Sequence, residues 1–408
     1  MTEPSATAGP SRRRFLTSAG LVVGGAAVGA GGGHAVADHR GSPAPSANTT
    51  DLSTQPAAFE GQHQPGIIDR QPAALRFLAL DLMATGGSKD GLRTVLQALS
   101  GTARSLMAGQ WSAGADDIAA NLRPAGLTIS IGLGGTALTK AGLAVPAALQ
   151  PLPPFSTDQL QPARSGGDLG LQICSEDPMV AAAAARALLR AAAGSAQLRW
   201  SQTGFLRSRD AAVDPDATPR NLMGQLDGTD NPTGSRLGLA VWVPPGVTPT
   251  WMTDGTYLVC RRIRMLLDSW EKLAVSAQEA VIGRRKDSGA PLTGDQEHDN
   301  PVFAATRDGH PVIPADAHIR LTHPSNNAGA TMFRRGFSYD DGMNSTGELD
   351  AGLFFQAFQT DPHRVFVPIQ QKLASSDALS KFLQHEGSAV FAFPGGASPG
   401  GFVGEKLF

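Results

Sequence analysis

The sequence predicts an α+β fold made of two tandem ferredoxin-like units, each with the element order β-α-β-β-α-β. Two observations support this prediction. In the N-terminal half, four short apolar segments of strand character flank two helical segments in that order. The C-terminal half can be read in the same order. Two such units suggest two sheets that pack together around a shared core.

In the N-terminal half, apolar residues alternate or run continuously over segments of strand length. These predicted strands cover residues 75–83, 127–133, 169–174 and 197–203. A helix is predicted over 89–107 from the spacing of its Leu and Val residues. A second helix is predicted over 178–193, where Pro178 stands at the first turn of an alanine-rich run.

The C-terminal half repeats this order around a long, loop-rich insert. Strands are predicted over 256–263, 331–339, 353–359 and 389–393. Helices are predicted over 264–275 and 365–383. The predicted boundaries of the two units are 59–235 and 236–408.

Composition is that of a soluble globular protein, with 41% hydrophobic and 17% charged residues. The formal net charge is -2, which gives no general basic field for nucleic acid or an anionic membrane. Cys174 and Cys260 both lie in apolar segments of strand character, so two buried free thiols are favoured over a disulfide. No C-x-x-C-H sequence occurs, which excludes a covalent c-type haem.

The N-terminus has the features of an export signal. Arg12 and Arg13 precede Phe15 and Leu16, a weakly apolar stretch follows, and Ala35-Val36-Ala37 forms a cleavage motif. We therefore expect a twin-arginine signal peptide over 1–37, a Ser- and Pro-rich disordered linker over 38–58, and a periplasmic or extracellular protein. The apolar stretch is too rich in Gly and Ala for a permanent membrane anchor.

Two segments carry candidate chemistry. The first, 221–232, contains Asp227 and Asp230 among turn-forming residues, and composition alone favours a plain turn there. The second contains His318 between Ala317 and Ile319, in apolar surroundings that suit a buried ligand. A single histidine of this kind is more often a hydrogen-bonded core residue than a metal ligand.

Taken together, the motifs around these two segments favour a metal-ligand role for His318 over that of a core residue. Three motifs follow one another along the chain: Gly224-x-x-Asp227-Gly228 with Asn231-Pro232, then Ala317-His318-Ile319-Arg320-Leu321, then Arg334-Arg335-Gly336-Phe337. In this order and spacing they resemble the dye-decolorising peroxidase family. Segments 61–67 and 283–286 match as well, so the resemblance runs from about residue 59 to the C-terminus. The twin-arginine start resembles the exported branch of the family, which includes deferrochelatase-type proteins of iron uptake.

The resemblance implies one non-covalent haem b per chain, with the two ferredoxin-like units forming a dimeric α/β-barrel-like core around it. It implies that His318 is the proximal iron ligand and that Asp227 and Arg334 lie on the distal face. It also implies that the macrocycle is lined by the residues after Asp227 and after His318, namely Gly228, Thr229, Asp230, His323, Pro324 and Ser325. An aspartate can move a proton of hydrogen peroxide, and a guanidinium can stabilise developing negative charge.

Several assignments stay open at this point. Gln225 stands where the family pattern suggests an aromatic residue, which leaves the distal wall less defined. Arg335 is expected to form a salt bridge or to contact a haem propionate. Asp361 or Glu348 is expected to accept the second ring N–H of His318. Met332 and Trp251 are candidates for electron transfer, although core packing is favoured for both.

The resemblance therefore implies an enzyme that reduces hydrogen peroxide while oxidising bulky organic donors of the dye type. Two alternatives remain: a deferrochelatase that releases iron from haem, and a haem carrier without enzymatic function. Only an enzyme needs the Asp227 and Arg334 pair. Further expected partners are a second copy of the chain in a homo-oligomer and components of iron uptake.

Overall fold

The strands of the computed structural model, which describes residues 56–111, 118–214 and 216–408, follow the predicted order closely. In the N-terminal half they are β1 (Ala74–Leu82), β2 (Thr128–Leu133), β3 (Leu169–Ser175) and β4 (Ala196–Phe205). In the C-terminal half they are β5 (Thr256–Met265), β6 (Thr306–Arg307), β7 (His310–Pro311), β8 (Phe333–Arg334), β9 (Phe337–Met343), β10 (Leu349–Gln359) and β11 (Leu383–Phe393).

The helices alternate with these strands. They are α1 (Lys89–Met107), α2 (Gly135–Lys140), α3 (Pro178–Ala192), α4 (Gly234–Val241), α5 (Leu267–Trp270), α6 (Val275–Ile282), α7 (His318–Thr322) and α8 (Phe366–Ser376). The side chain of Ser88 caps α1, and that of Asp177 caps α3, where Pro178 occupies the first turn. These caps explain why both long helices begin where the sequence predicts.

Eight of the strands close into one antiparallel barrel. The hydrogen-bonded order is β5-β11-β2-β3-β1-β4-β9-β10, and β10 pairs again with β5 to complete the ring. Within each half, the strand order is the one that a ferredoxin-like unit produces: β2-β3-β1-β4 and β9-β10-β5-β11. The predicted fold class is therefore confirmed, with the two predicted sheets joined edge to edge.

The two joins between the halves are thin. β4 meets β9 through the single residue pair Phe205 and Ser338, and β2 meets β11 through Leu133 and Ala392. By contrast, β5 pairs with β10 along eight residues and with β11 along ten. The barrel is therefore two well-paired sheets held together at two narrow seams.

The barrel interior is aromatic. Phe77, Phe354, Phe391 and Phe393 are almost completely buried there, and the Phe77 ring lies 5.3 Å from that of Phe354. A second core lies outside the barrel, where α1 and α3 cover β1, β2 and β3. In the other half, α8 covers the outer face of β5 and β10 with Phe366 and Ile369.

Several predicted boundaries in the C-terminal half are wrong. β10 and β11 begin at Leu349 and Leu383, before the predicted 353 and 389. β5 continues to Met265, and two short helices, α5 and α6, replace the helix predicted over 264–275. The strand predicted over 331–339 is broken at Arg335 and Gly336 into β8 and β9. The helix predicted to reach residue 383 ends at Ser376, because Asp377 starts a 3-10 turn by accepting the backbone N–H of Leu379.

Other predictions concern the termini and the cysteines. Cys174 and Cys260 are free and buried, as expected. The predicted signal peptide and linker lie outside the described residues, apart from the last three residues of the linker. In the part of the chain that the structure describes, no helix is long and apolar enough to cross a membrane.

Close packing inside the barrel leads to a prediction at Gly170 of β3. A Cβ atom there would lie 2.9 Å from the Phe391 ring, which is fully buried and cannot move freely. Gly170→Ala should therefore destabilise the protein by about 1–3 kcal/mol, the usual cost of overpacking. Equilibrium unfolding in urea measures this difference.

Gly101 provides the matched control. It lies within α1, and a Cβ atom there would have no neighbour within 4 Å. Gly101→Ala should stabilise the protein by about 0.5–1 kcal/mol, because alanine costs less backbone entropy in a helix. If both substitutions shift the midpoint in the same direction, the packing argument is wrong.

Candidate active site

A large cavity lies on the outer face of the C-terminal sheet. It holds about 1610 Å³ of space, part of it open to solvent. Arg261, Ile263 and Met265 of β5 form its floor, and α7 and α8 supply a further wall. Much of the remaining lining is apolar and includes Leu353, Phe355, Phe366, Ile369, Leu373 and Leu379. The cavity is therefore a mostly apolar cleft with a few polar side chains, which is typical of a cofactor site.

His318 lies in this lining at the first position of α7. Its Nδ1 lies 2.7 Å from Oδ2 of Asp377, whose side chain is only 2% exposed. Among the described residues, no hydrogen bond reaches Nε2 of the ring. The carboxylate therefore accepts the Nδ1 proton, and the lone pair of Nε2 is left for a ligand in the cavity.

The predicted partners of His318 are wrong. Asp361 instead accepts the backbone N–H groups of His363 and Arg364 at the start of α8. Glu348 belongs to the turn between β9 and β10 and pairs with Arg264 at 3.1 Å. The partner comes from the other end of α8, because that helix packs beside α7 and brings its C-terminal residue Asp377 to the ring.

Asp227 and Arg334 form the second polar group of the cavity. Oδ1 of Asp227 lies 3.4 Å from Nη1 of Arg334, and both side chains remain partly exposed. Asn231 binds the backbone of Arg334 twice, through its Nδ2 donor at 2.8 Å and its Oδ1 acceptor at 3.0 Å. The amide of Asn221 lies 3.3 Å from the Asp227 carboxylate. The two asparagines therefore fix the acid and the arginine relative to each other.

The segment that carries Asp227 depends on two glycines. Gly224 and Gly228 have φ values of +79° and +126°, a region that strains other residues. A Cβ atom on Gly224 would also lie 2.8 Å from the side chain of Lys286. The turn chemistry that the sequence suggests is therefore real, and it serves to place Asp227 in the cavity.

The long insert between α6 and α7 supports the same segment. Thr229 donates to the Glu297 carboxylate at 2.8 Å, and Arg284 donates to the backbone oxygens of Gly289 and Glu297. Arg284 is almost completely buried and lines the cavity. Burial lowers the pKa of its guanidinium, and the carboxylate of Asp230 opposes that shift.

Most of the other predicted residues also lie in the lining. They are Gly228, Thr229, Asp230, His323 and Pro324. Ser325 follows Pro324 in the chain, and its hydroxyl lies 2.8 Å from Nδ1 of His323. Gln225, where an aromatic residue is expected, is buried in the lining, and its side-chain nitrogen has no hydrogen-bond partner among the described residues.

Arg335 makes neither predicted contact. Its guanidinium is buried away from the cavity and donates to the backbone oxygens of Asp69 and Arg70. Neighbouring residues of an extended segment point to opposite sides, so only Arg334 of the pair can face the cavity. Met332 lies in the cavity wall, whereas Trp251 packs in the core beneath α1.

Two further residues of the cavity, which lie next to His318 and Asp377, are not predicted from the sequence. Arg261 and His385 line the cavity from β5 and β11, and both are almost completely buried. Burial and, after it, the nearby Arg261 guanidinium lower the pKa of His385 to about 3, so the ring is neutral near pH 7. Neither residue stands in a recognisable motif. Arg261 is one of three arginines in β5, and His385 stands between Gln384 and Glu386, so the sequence does not set either residue apart from its neighbours.

Comparison with known proteins agrees with this geometry. Two family models, described as Dyp-type peroxidase N-terminal and C-terminal, match residues 64–206 and 218–398. A dye-decolorizing peroxidase of Thermobifida fusca is 44% identical, covering 100% of this chain and 99% of the relative. A deferrochelatase of Yersinia pseudotuberculosis is 33% identical, covering 98% and 95%.

A solved structure extends the agreement to three dimensions. Ferric DtpA from Streptomyces lividans superposes with a TM-score of 0.84 at 46% identity, covering 88% of this chain and 98% of that chain. The family models, the full-length relatives and the fold agree, and this chain therefore belongs to the Dyp-type peroxidase family.

Proposed function

We propose that this chain is a haem b peroxidase that uses hydrogen peroxide to oxidise bulky organic donors. The supporting observation is that one apolar cavity brings together the His318–Asp377 pair and the Asp227–Arg334 pair. A carrier would need an axial ligand but not an acid and an arginine held together by two asparagines. Family membership and the ferric state of the DtpA relative support the choice of iron chemistry.

The cavity residues fit a haem group. Its lining is apolar enough to hold a porphyrin, and His318 presents an unbonded Nε2 to it. A buried carboxylate behind an imidazole is the usual arrangement at a metal-binding histidine, because it fixes the tautomer and increases the basicity of the ligand nitrogen. His318 would hold the iron, and Arg284 and Arg261 are cationic groups in the same lining.

The bound haem would supply the redox equivalents that peroxide reduction requires. The protein supplies proton transfer and charge. Asp227 can take a proton from one oxygen of hydrogen peroxide and return it to the departing oxygen. Arg334 cannot act as a base, but its guanidinium stabilises the negative charge that develops on the departing oxygen.

The arrangement of Asn221 and Asn231 explains why this pair can act together. The side-chain oxygen of Asn231 accepts from the backbone of Arg334, and the amide of Asn221 lies beside the carboxylate of Asp227. Both catalytic side chains are therefore held in place before peroxide arrives. Such preorganisation is the main source of electrostatic catalysis.

A deferrochelatase activity is the second candidate, and the Yersinia relative of that name supports it. The peroxidase reading is preferred, because the Thermobifida relative is more similar to this chain. Product analysis separates the two: release of iron with intact free porphyrin would indicate the deferrochelatase. Iron-uptake components as partners, and a homo-oligomeric state, stay predictions.

Export by the twin-arginine pathway to the periplasm or the exterior completes the proposal. It rests on the paired arginines, the apolar stretch and the A-x-A motif of residues 1–37. A folded precursor could receive its cofactor before it leaves the cytoplasm.

The distal pair leads to the first functional prediction. Arg334→Leu should keep its haem but lose about 10²–10³ in the rate of the peroxide reaction, because it removes the charge that stabilises the departing oxygen. Asp227→Asn should show a smaller or pH-dependent loss, since water can replace a proton shuttle. Stopped-flow absorbance after mixing with hydrogen peroxide measures both rates.

Arg236→Leu is the matched control, because this arginine lies on the exposed side of α4 outside the cavity lining. Its rate should equal that of the wild type. Wild-type rates in both distal variants would contradict the proposed roles and favour the carrier.

The proximal pair leads to a prediction with a direct spectroscopic measurement. His318→Ala should lower haem occupancy or change its spin state, because the variant loses the proposed axial ligand. Asp377→Asn should weaken haem retention by about 10–100-fold, the usual effect of removing the partner of a metal-binding histidine. It should also raise the iron reduction potential, because the imidazole becomes less electron-rich.

Haem transfer to excess apomyoglobin and redox titration measure these two effects. Asp361→Asn is the control, because the hydrogen bonds and ion pair of its side chain, among the described residues, go to His363 and Arg364 just before α8. Equal effects from the two aspartate variants would show that Asp377 has no special role.

The export proposal predicts that Arg12→Lys with Arg13→Lys keeps the protein uncleaved in the cytoplasm, because the transporter reads both guanidiniums. Cell fractionation with N-terminal sequencing checks this, and the cleaved wild type should begin at Asp38. Undiminished export of the double variant would remove the twin-arginine assignment.

A further inference from the structure

We propose that a second pocket, on the barrel side of the haem-lining sheet, binds small neutral phenols or aromatic amines and allows their oxidation through that sheet. This inference rests on the proposed peroxidase function and adds a donor site to it. The pocket holds about 500 Å³ of space, part of it open to solvent. Its lining includes Trp200, Ser201, Gln202, Arg262, Asp341 and Phe354.

The thin seam between β4 and β9 produces this opening. Because the two strands pair only at Phe205 and Ser338, Trp200–Gln202 of β4 have no backbone partner on β9. Side chains span the gap instead: Nε2 of Gln202 lies 3.2 Å from Asp341, and Arg262 donates to Gln202 at 2.9 Å. A small planar molecule can therefore enter between the strands without separating paired backbone.

The apolar part of the pocket is rigid. The indole N–H of Trp200 donates to the backbone oxygen of Gly166 at 2.8 Å, which fixes the plane of the ring. The same ring packs against Phe77 at 5.5 Å and edge-on against Phe354 at 6.1 Å. Fixed aromatic faces of this kind favour a flat aromatic ligand.

The polar part of the pocket selects the class of donor. Arg262 is buried and bonds to Asp341 and Asp350 at 2.8 Å and also to Glu386. Arg164 lies within 3.5 Å of Asp350 and Glu386. Three carboxylates around two guanidiniums leave one net negative charge. The pocket should therefore accept a neutral molecule with one O–H or N–H donor and disfavour a sulfonated dye.

The position of the pocket makes it a site of oxidation. Strand residues face alternate sides, so β5 sends Cys260 and Arg262 into this pocket and Arg261 and Ile263 into the haem cavity. On β10, Phe354 faces the pocket, while Leu353 and Phe355 face the cavity. The second pocket and the haem cavity therefore lie on opposite faces of the same sheet. One sheet with its side chains, a layer about 10 Å deep, separates the donor from the cofactor.

The chemical step balances. One phenol loses one electron and its hydroxyl proton and leaves as a phenoxyl radical. The bound haem would supply the oxidising equivalent that hydrogen peroxide provides and would take up the electron across the sheet. The proton passes to the carboxylate of Asp341, which is partly exposed and can release it to water. Two phenols thus reduce one hydrogen peroxide to two waters.

Isothermal titration of the haem-loaded protein with 4-methoxyphenol, without peroxide, tests binding apart from turnover. Ala389 of β11 is buried in the pocket lining, so Ala389→Leu fills the pocket and should weaken binding by about tenfold or more. Ala84→Leu, the same change at an exposed position outside the lining, is the control. The anionic probe 4-hydroxybenzenesulfonate should bind the wild type more weakly than the neutral phenol.

Turnover then tests the oxidation step. With 4-methoxyphenol as donor, Ala389→Leu should raise KM by a similar factor, whereas the stopped-flow rate with peroxide alone should not change. Asp341→Asn should lower kcat for the phenol more than Asp340→Asn, its exposed neighbour. Unchanged phenol affinity in Ala389→Leu overturns the site, and lost affinity with unchanged phenol turnover overturns its role in oxidation. A wild type that binds the phenol but does not react with peroxide would instead refute the proposed peroxidase function.

Discussion

The pairing of β5 with β10 is the constraint on which both cavities depend. It closes the barrel and gives β5 a partner at each edge, while the barrel core and α8 cover its two faces, so that every residue of the strand is buried. A strand in this position cannot tolerate a free charge, and each of its three arginines is accordingly bonded to acceptors on neighbouring segments. Arg261 binds Asp158 on the cavity side, while Arg262 and Arg264 bind carboxylates on the barrel side. One strand therefore supplies the floor of the haem cavity and one wall of the second pocket.

The sequence predicts local and periodic features well. α1 begins and ends at the predicted residues, because Ser88 caps its start and its Leu and Val residues keep helical spacing. His318, Asp227 and Arg334 all reach the same cavity, because their motifs carry the turn and strand chemistry that places them. The break between β8 and β9 falls at Arg335 and Gly336, where the sequence predicts one continuous strand over 331–339.

Contacts between distant elements could not be predicted in the same way. Asp377 lies 59 residues from His318, and nothing in its own segment distinguishes it from Asp361 or Glu348. The choice depends on how α8 packs against α7, which is a property of the tertiary structure. Arg335 shows the same limit, because its backbone acceptors at Asp69 and Arg70 lie more than 260 residues away. The pairing of a buried polar group is decided by the fold and not by its neighbours in sequence.

The two sides of the haem cavity differ in how they are held. His318 and Asp377 rest on α7 and the end of α8; α8 packs against the sheet through apolar side chains, and α7 packs against α8. Asp227 rests on a turn that is fixed by hydrogen bonds. Asn221 bonds to the Asp227 carboxylate, the backbone N–H of Asn231 donates to Gly228, and Thr229, two residues after Asp227, donates to Glu297 of the insert. A ligand that binds iron needs a rigid support, whereas an acid that gives and receives a proton needs an orientation fixed by polar contacts. The apolar support on one side and the polar support on the other therefore follow from the separate tasks of the two groups.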